Sequence, residues 1–142
     1  MQFENEARVF FKATSENEAF SRIFAAGFLS QLDPTVSEMM DIKTAISEAV
    51  TNAIIHGYEK REGMVELYCA YISRKVFIEV ADRGKGIKDI TLAREPLYTS
   101  KPEMERSGMG FTIMETFMDH IKIESEIDNG TRIFMEKTLS EE

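Results

Sequence analysis

A single cysteine, Cys69, cannot form an internal disulfide, so a reducing cytoplasm is the expected setting. No apolar run approaches the roughly 20 residues needed to span a bilayer. The N-terminal residues 1–6 are acidic and lack the basic-then-apolar order of a signal peptide. Positive charge is scarce too: 17 Lys and Arg stand against 25 Asp and Glu, a net charge of −8. That balance argues against a general affinity for nucleic acid, which needs a basic surface to displace counterions. Any effect on transcription is expected to pass through a protein partner. What is present is 142 residues, 43% hydrophobic and 30% charged, the makeup of one globular domain with a real core. There is no internal repeat, low-complexity tract or domain boundary.

Residues 7–13 read as a first strand. Ser15 and Glu18 then offer a capping box for a helix with Phe20, Ile23, Phe24, Phe28 and Leu32 at helical spacing. Glu18, Arg22 and Ser30 fall nearer its exposed side. Gly27 costs about 1 kcal/mol relative to alanine there, which suggests a close packing contact. Asp33-Pro34 ends the helix, and Thr35 with Glu38 caps the next. This second helix has an apolar stripe through Met39, Ile42, Ile46, Ala49, Val50 and Ala53 and stops at Gly57. Glu48 and Asn52, four residues apart, stack on another face. Such a pair suits a metal ion, a proton transfer or simply a solvated polar face.

Strands follow at 64–72 and 75–82, with Val65, Leu67, Cys69 and Tyr71 on one face of the first. Val76, Ile78 and Val80 share a face of the second, and Asp82 has their parity. A carboxylate is thus aimed toward the apolar side, which is costly without a partner. Residues 87–107 hold two of the three prolines and no sustained periodicity, as in a lid, a binding loop or disorder. Gly108 and Gly110 open a short helix to about Met118. A last hairpin puts Ile121, Ile123 and Ile127 in one strand and Thr131, Ile133 and Met135 in the other, around Asp128-Asn129-Gly130.

Asp82-x-Gly84-x-Gly86 could let backbone lie against a flat ligand while the acid accepts from an exocyclic amine; it also describes an ordinary strand-to-loop turn. Arg106-Ser107-Gly108-x-Gly110 puts basic charge and glycines at a helix start, where N–H groups bind phosphate. Neither standard nucleotide signature is present. His56 and His120 lack metal-ligand spacing to Cys69, so no metal role is expected of them.

The ordered set of Glu48 and Asn52, Asp82-x-Gly84-x-Gly86, a lid, Gly108-x-Gly110 and Gly130-Thr131 resembles the ATP-binding fold of the gyrase, Hsp90, histidine-kinase and MutL family. More closely, the chain is similar to the small anti-sigma factors that are serine protein kinases, of the sigma-F type of sporulating bacilli. That match rests on residues 32–35, 47–58, 96–102, 105–115 and 124–126, and covers nearly the whole chain. It implies an α+β fold: a two-layer sandwich whose mixed, mostly antiparallel sheet is covered on one face by helices (the Bergerat-type fold), in a single domain, 1–142, with an ATP lid at about 87–107.

The resemblance also implies roles. Glu48 is the general base toward an incoming serine hydroxyl, and Asn52 coordinates Mg²⁺. Asp82 binds the adenine amine of ATP or ADP, supported by Thr131; Gly84 and Gly86 line the base. Ser107, Gly108 and Gly110 bind phosphate, Arg106 reaches the terminal phosphate, and Arg22 is a candidate partner contact. The implied partners are a sigma factor, an anti-anti-sigma factor as phosphorylation substrate, and a second copy in a homodimer. A gyrase- or Hsp90-type clamp would need a transducer domain, and a histidine-kinase catalytic domain a phosphoacceptor domain; neither is expected here. A binding-only protein with structural ATP, and a kinase serving a stress-response sigma factor, stay open.

Overall fold

A computed structural model describes residues 2–59, 61–95 and 110–141. The elements are β1 (Asn5–Lys12), α1 (Ser15–Leu29), α2 (Val36–Asn52), β2 (Met64–Ile72), β3 (Lys75–Asp82), a short α3 (Ile90–Ala93), α4 (Gly110–Phe117), β4 (His120–Glu126) and β5 (Gly130–Thr138). The strands form one sheet in the order β1-β2-β3-β5-β4. Every pairing is antiparallel, so the mixed component expected from the sequence does not appear among the described residues.

Alternation along the strands explains the two layers. Val65, Leu67 and Cys69 of β2, Val76, Ile78 and Val80 of β3, and Ile133 and Met135 of β5 are buried on one face. Against it pack Ile42, Ala45, Ile46, Ala49 and Val50 of α2, Phe111 and Met114 of α4, and Ala25, Phe28 and Leu29 of α1. The central strands therefore present a continuous apolar face to the helices, and burial of that face is the main stabilising term.

α2 starts as its sequence requires. Thr35 accepts the Glu38 N–H at 3.0 Å, and the Glu38 carboxylate accepts the Thr35 N–H at 2.9 Å, a complete capping box. The other expected box does not form: α1 begins at Ser15 itself, Thr14 precedes it, and Glu18 instead accepts from Arg22 at 2.7 Å. The α1 stripe is also rotated from the expected one. Ser21, Ala25, Phe28 and Leu29 face the core, while Ile23 is 70% exposed. Gly27 is exposed as well, and a methyl group there would meet nothing, so it marks no close packing contact.

Two smaller differences arise at the ends of elements. Ile127 is not in β4 but exposed in the turn after it. Residues 87–95, expected to be irregular, contain α3, capped by Asp89 accepting the Leu92 N–H at 3.0 Å. Arg94 then pairs with Glu115 at 2.7 Å, which ties this segment to α4. Most of the expected lid, residues 96–107, lies outside the described residues.

Candidate nucleotide site

The site is built where the C-terminal end of α2 meets the end of β3. After Asn52 the helix widens into a π-helical turn, Ala53–Gly57, closed by the Tyr58 N–H donating to Ala53 O at 2.9 Å. Such a turn accommodates an extra residue and redirects the chain beyond it. Here it delivers Gly57 onto the carboxylate of Asp82: a Cβ on Gly57 would lie 2.8 Å from its carboxyl carbon. The Gly57 carbonyl accepts the Lys85 N–H at 2.9 Å, and a Cβ on Gly84 would collide with that carbonyl. Gly130, at φ +92°, passes against the backbone of Asp82 with no room for a side chain. Three glycines thus enclose one acid.

Asp82 is 7% exposed. Its carboxylate accepts the Gly84 N–H at 2.8 Å and the backbone N–H of Thr131. Burial dominates over these two bonds and pushes its pKa up to about 6. Tyr58 braces the same corner, donating to Met64 O at 2.6 Å and accepting the Arg83 N–H at 2.8 Å. Asp82 and Thr131 open onto a cleft of about 900 Å³ that also runs along Ile90, Ile123, Ser125 and Gly130.

Glu48 and Asn52 are half-buried on α2, off the face made by Ile46, Ala49 and Val50. They do not line that cleft, which belongs to the sheet end. Asn52 ends the α-helical part, directly before the π-helical turn that runs to Gly57, and Glu48 lies about 6 Å before it along the axis. The polar pair is joined to the buried acid through the π-helical turn, whose last residue, Gly57, meets Asp82.

Residues 11–137 match the family described as the histidine kinase-like ATPase domain. Curated relatives are similar over almost their whole lengths. The anti-sigma F factor of Clostridium acetobutylicum is 57% identical over 137 residues, 96% of each chain. That of Clostridium perfringens is 56% identical over 96% of this chain and 99% of its own. That of Clostridium kluyveri is 53% identical over 97% of each. This chain belongs to the anti-sigma F factors, within the histidine kinase-like ATPase family. A crystal structure of the RsbU and RsbW domains of a Mycobacterium tuberculosis protein shares the fold, with a TM-score of 0.67 at 21% identity. It is matched over 97% of this chain and 33% of its own length.

Family membership implies a nucleotide, and the Asp82 corner suits one: a buried acceptor, held by glycines packed around it, and an adjoining cleft. Of the residues expected to meet it, Asp82, Gly84 and Thr131 come together. Gly84 and Gly86, the latter at φ +79°, pack against the Gly57 and Glu126 carbonyls respectively, and neither lines the cleft. Gly110 opens α4, while Arg106, Ser107 and Gly108 lie outside the described residues. Arg22 lies midway along α1, engaged with Glu18. Sequence reasoning treats Gly57 only as a helix stop and gives Tyr58 and Ser125 no role. No local signal announces a π-helical turn, so the approach of Gly57 to Asp82 is not legible from the residues alone.

Proposed function

We propose that this chain is an anti-sigma factor of the sigma-F type that holds a sporulation sigma factor inactive. As an ATP-dependent serine protein kinase, it also phosphorylates a serine of its anti-anti-sigma partner. The observation that carries the reading is Asp82, buried among Gly57, Gly84 and Gly130 at the foot of the helix that bears Glu48 and Asn52. A buried acid able only to accept, beside a cleft, suits an exocyclic amine such as that of adenine.

With the base held at Asp82 and Thr131, ATP extends toward α2 and α4. Gly108 and Gly110 meet its phosphates with backbone N–H groups and the start of α4. Ser107 and Arg106 act from the lid, about 87–107, of a single-domain protein. Asn52 would hold Mg²⁺ through its side-chain oxygen. Mg²⁺ neutralises phosphate charge when bound.

Glu48, half-buried one turn before Asn52, receives the proton of the acceptor serine as its oxygen bonds to the γ-phosphorus and ADP leaves. The work done by the protein is positioning and charge neutralisation, which is what phosphoryl transfer needs.

The chain acts in the cytoplasm as a homodimer, with α1 around Arg22 as a docking surface. Among the described residues no helix is long and apolar enough to cross a membrane. For nucleotide to choose between partners, ATP and ADP must favour different complexes; such couplings amount to about 1–3 kcal/mol, or about 5–150-fold. Titrating a sigma-F-type factor onto the chain in Mg-ATP and in Mg-ADP tests this. Tighter binding in ATP by at least about fivefold is expected. Equal affinity in both nucleotides contradicts nucleotide-gated sequestration.

A further inference from the structure

Ser125 sits in β4 directly opposite Thr131 of β5, which in turn pairs with Asp82 of β3. Its hydroxyl has three partners. It accepts the Ile87 N–H at 2.7 Å, contacts the Gly130 carbonyl at 2.9 Å, and contacts Thr131 Oγ1 at 2.9 Å. A serine hydroxyl has one proton and two lone pairs. The Gly130 carbonyl cannot donate, so the Ser125 proton is committed to it, and the two remaining contacts fall on the lone pairs. Thr131 must then be the donor toward Ser125. With its only proton turned away, Thr131 has only lone pairs left for the cleft it lines. Beside it the Asp82 carboxylate is also an acceptor. The side chains of the Asp82–Thr131 pair thereby offer only acceptors, and Ser125 is what makes Thr131 so, although Arg83, Asn129 and Arg132 bring donors to other parts of the same cleft.

Resting on the nucleotide reading above, we propose that Ser125 is a specificity-determining positioning residue: by accepting the hydrogen bond of the Thr131 hydroxyl it selects a purine with a 6-amino group over one with a 6-oxo group. Its effect reaches the base through Thr131. Without the Ser125 hydroxyl, Thr131 is free to turn its proton into the cleft, where it can serve a 6-oxo group as donor. The same hydroxyl anchors Ile87, so Ser125 also joins the base floor to the root of the segment after Gly86.

The test compares binding of ATP and inosine triphosphate, which differ at position 6, by titration calorimetry on the full chain. Ser125→Ala should lower the ATP-to-inosine preference by about tenfold, the effect of one hydrogen bond. Ser125→Thr, which restores a hydroxyl, should keep the preference, and its shape-matched partner Ser125→Val should lose it. In a Thr131→Val background, Ser125→Ala should leave the ratio where Thr131→Val alone puts it. A merely structural role would lower both affinities together and leave the ratio unchanged in every variant. A wild-type chain that prefers ATP, with Ser125→Ala and Ser125→Val retaining that preference, overturns this inference and leaves the ATP reading intact. A wild-type chain that binds neither nucleotide overturns both.

Discussion

Replacing Asp82 by asparagine separates the cost of burying a charge from the purpose of burying it. In the folded protein the carboxyl pKa is raised from 3.8 to about 6. A rise of that size corresponds to about 3 kcal/mol against the ionised form. Because the folded protein binds this proton more tightly, the associated stability is fully present below about pH 3.8 and lost as pH rises through about 6. A neutral amide escapes that cost at neutral pH. It keeps an oxygen for the Gly84 N–H but turns an NH₂ group toward the other donor, the Thr131 N–H, at a cost of about 2 kcal/mol. Asp82→Asn should therefore stabilise the nucleotide-free chain by about 1 kcal/mol at pH 7.5, yet destabilise it by about 1.5 kcal/mol near pH 4. Urea unfolding at the two pH values reads the sign change directly. Binding of ATP should fall at least tenfold, since the amide offers the base a donor where it needs an acceptor. A stability difference that is the same at both pH values, or unchanged ATP affinity, would refute this reasoning.

Two further substitutions probe the frame around that acid. Gly57→Ala forces a methyl group to 2.8 Å from a carboxylate that is held by two hydrogen bonds; overpacking of this kind costs about 1–3 kcal/mol. Thermal unfolding should drop by several degrees and calorimetry should show weakened ATP binding; an unaltered chain would mean that Gly57 does not constrain Asp82. Gly27→Ala points the other way, because the position is exposed, helical and open around the missing Cβ. It should stabilise the chain by about 0.5–1 kcal/mol in urea unfolding, and a loss of stability would mean the helix packs more closely there than the structure shows.

Legibility in the sequence tracks the strength of local patterns. Strands 64–72 and 75–82 are readable because alternation over eight or nine residues leaves one buried face and one register. The same parity places Asp82 on the buried side. The α2 start is readable from Thr35 and Glu38, whose reciprocal bonds need no tertiary help. The α1 face is not. Hydropathy counts Ile23 as core and overlooks Ser21 and Ala25, yet small residues let a helix lie close to its neighbours, and Ser21 satisfies its hydroxyl on the Glu18 carbonyl at 2.6 Å. The parts of the site that depend on distant chain meeting distant chain, Gly57 on Asp82 and Ser125 on Thr131, carry no sequence signal of their own. Glu48, Asn52, Asp82 and Thr131 are singled out as a set by their order along the chain and the family resemblance, and the structure adds that Asp82 and Thr131 are paired and buried.

The central claim is that the Asp82 corner and Glu48 serve one reaction, and the intact mass of the anti-anti-sigma partner tests it most directly. Wild type and Glu48→Gln would each be incubated with that partner and Mg-ATP, after calorimetry has shown that both bind ATP. The account requires one added phosphoryl group with wild type and none, or a rate lower by at least about a hundredfold, with Glu48→Gln. Equal phosphorylation by both proteins would remove Glu48 as the base, and no added mass with either would contradict the kinase.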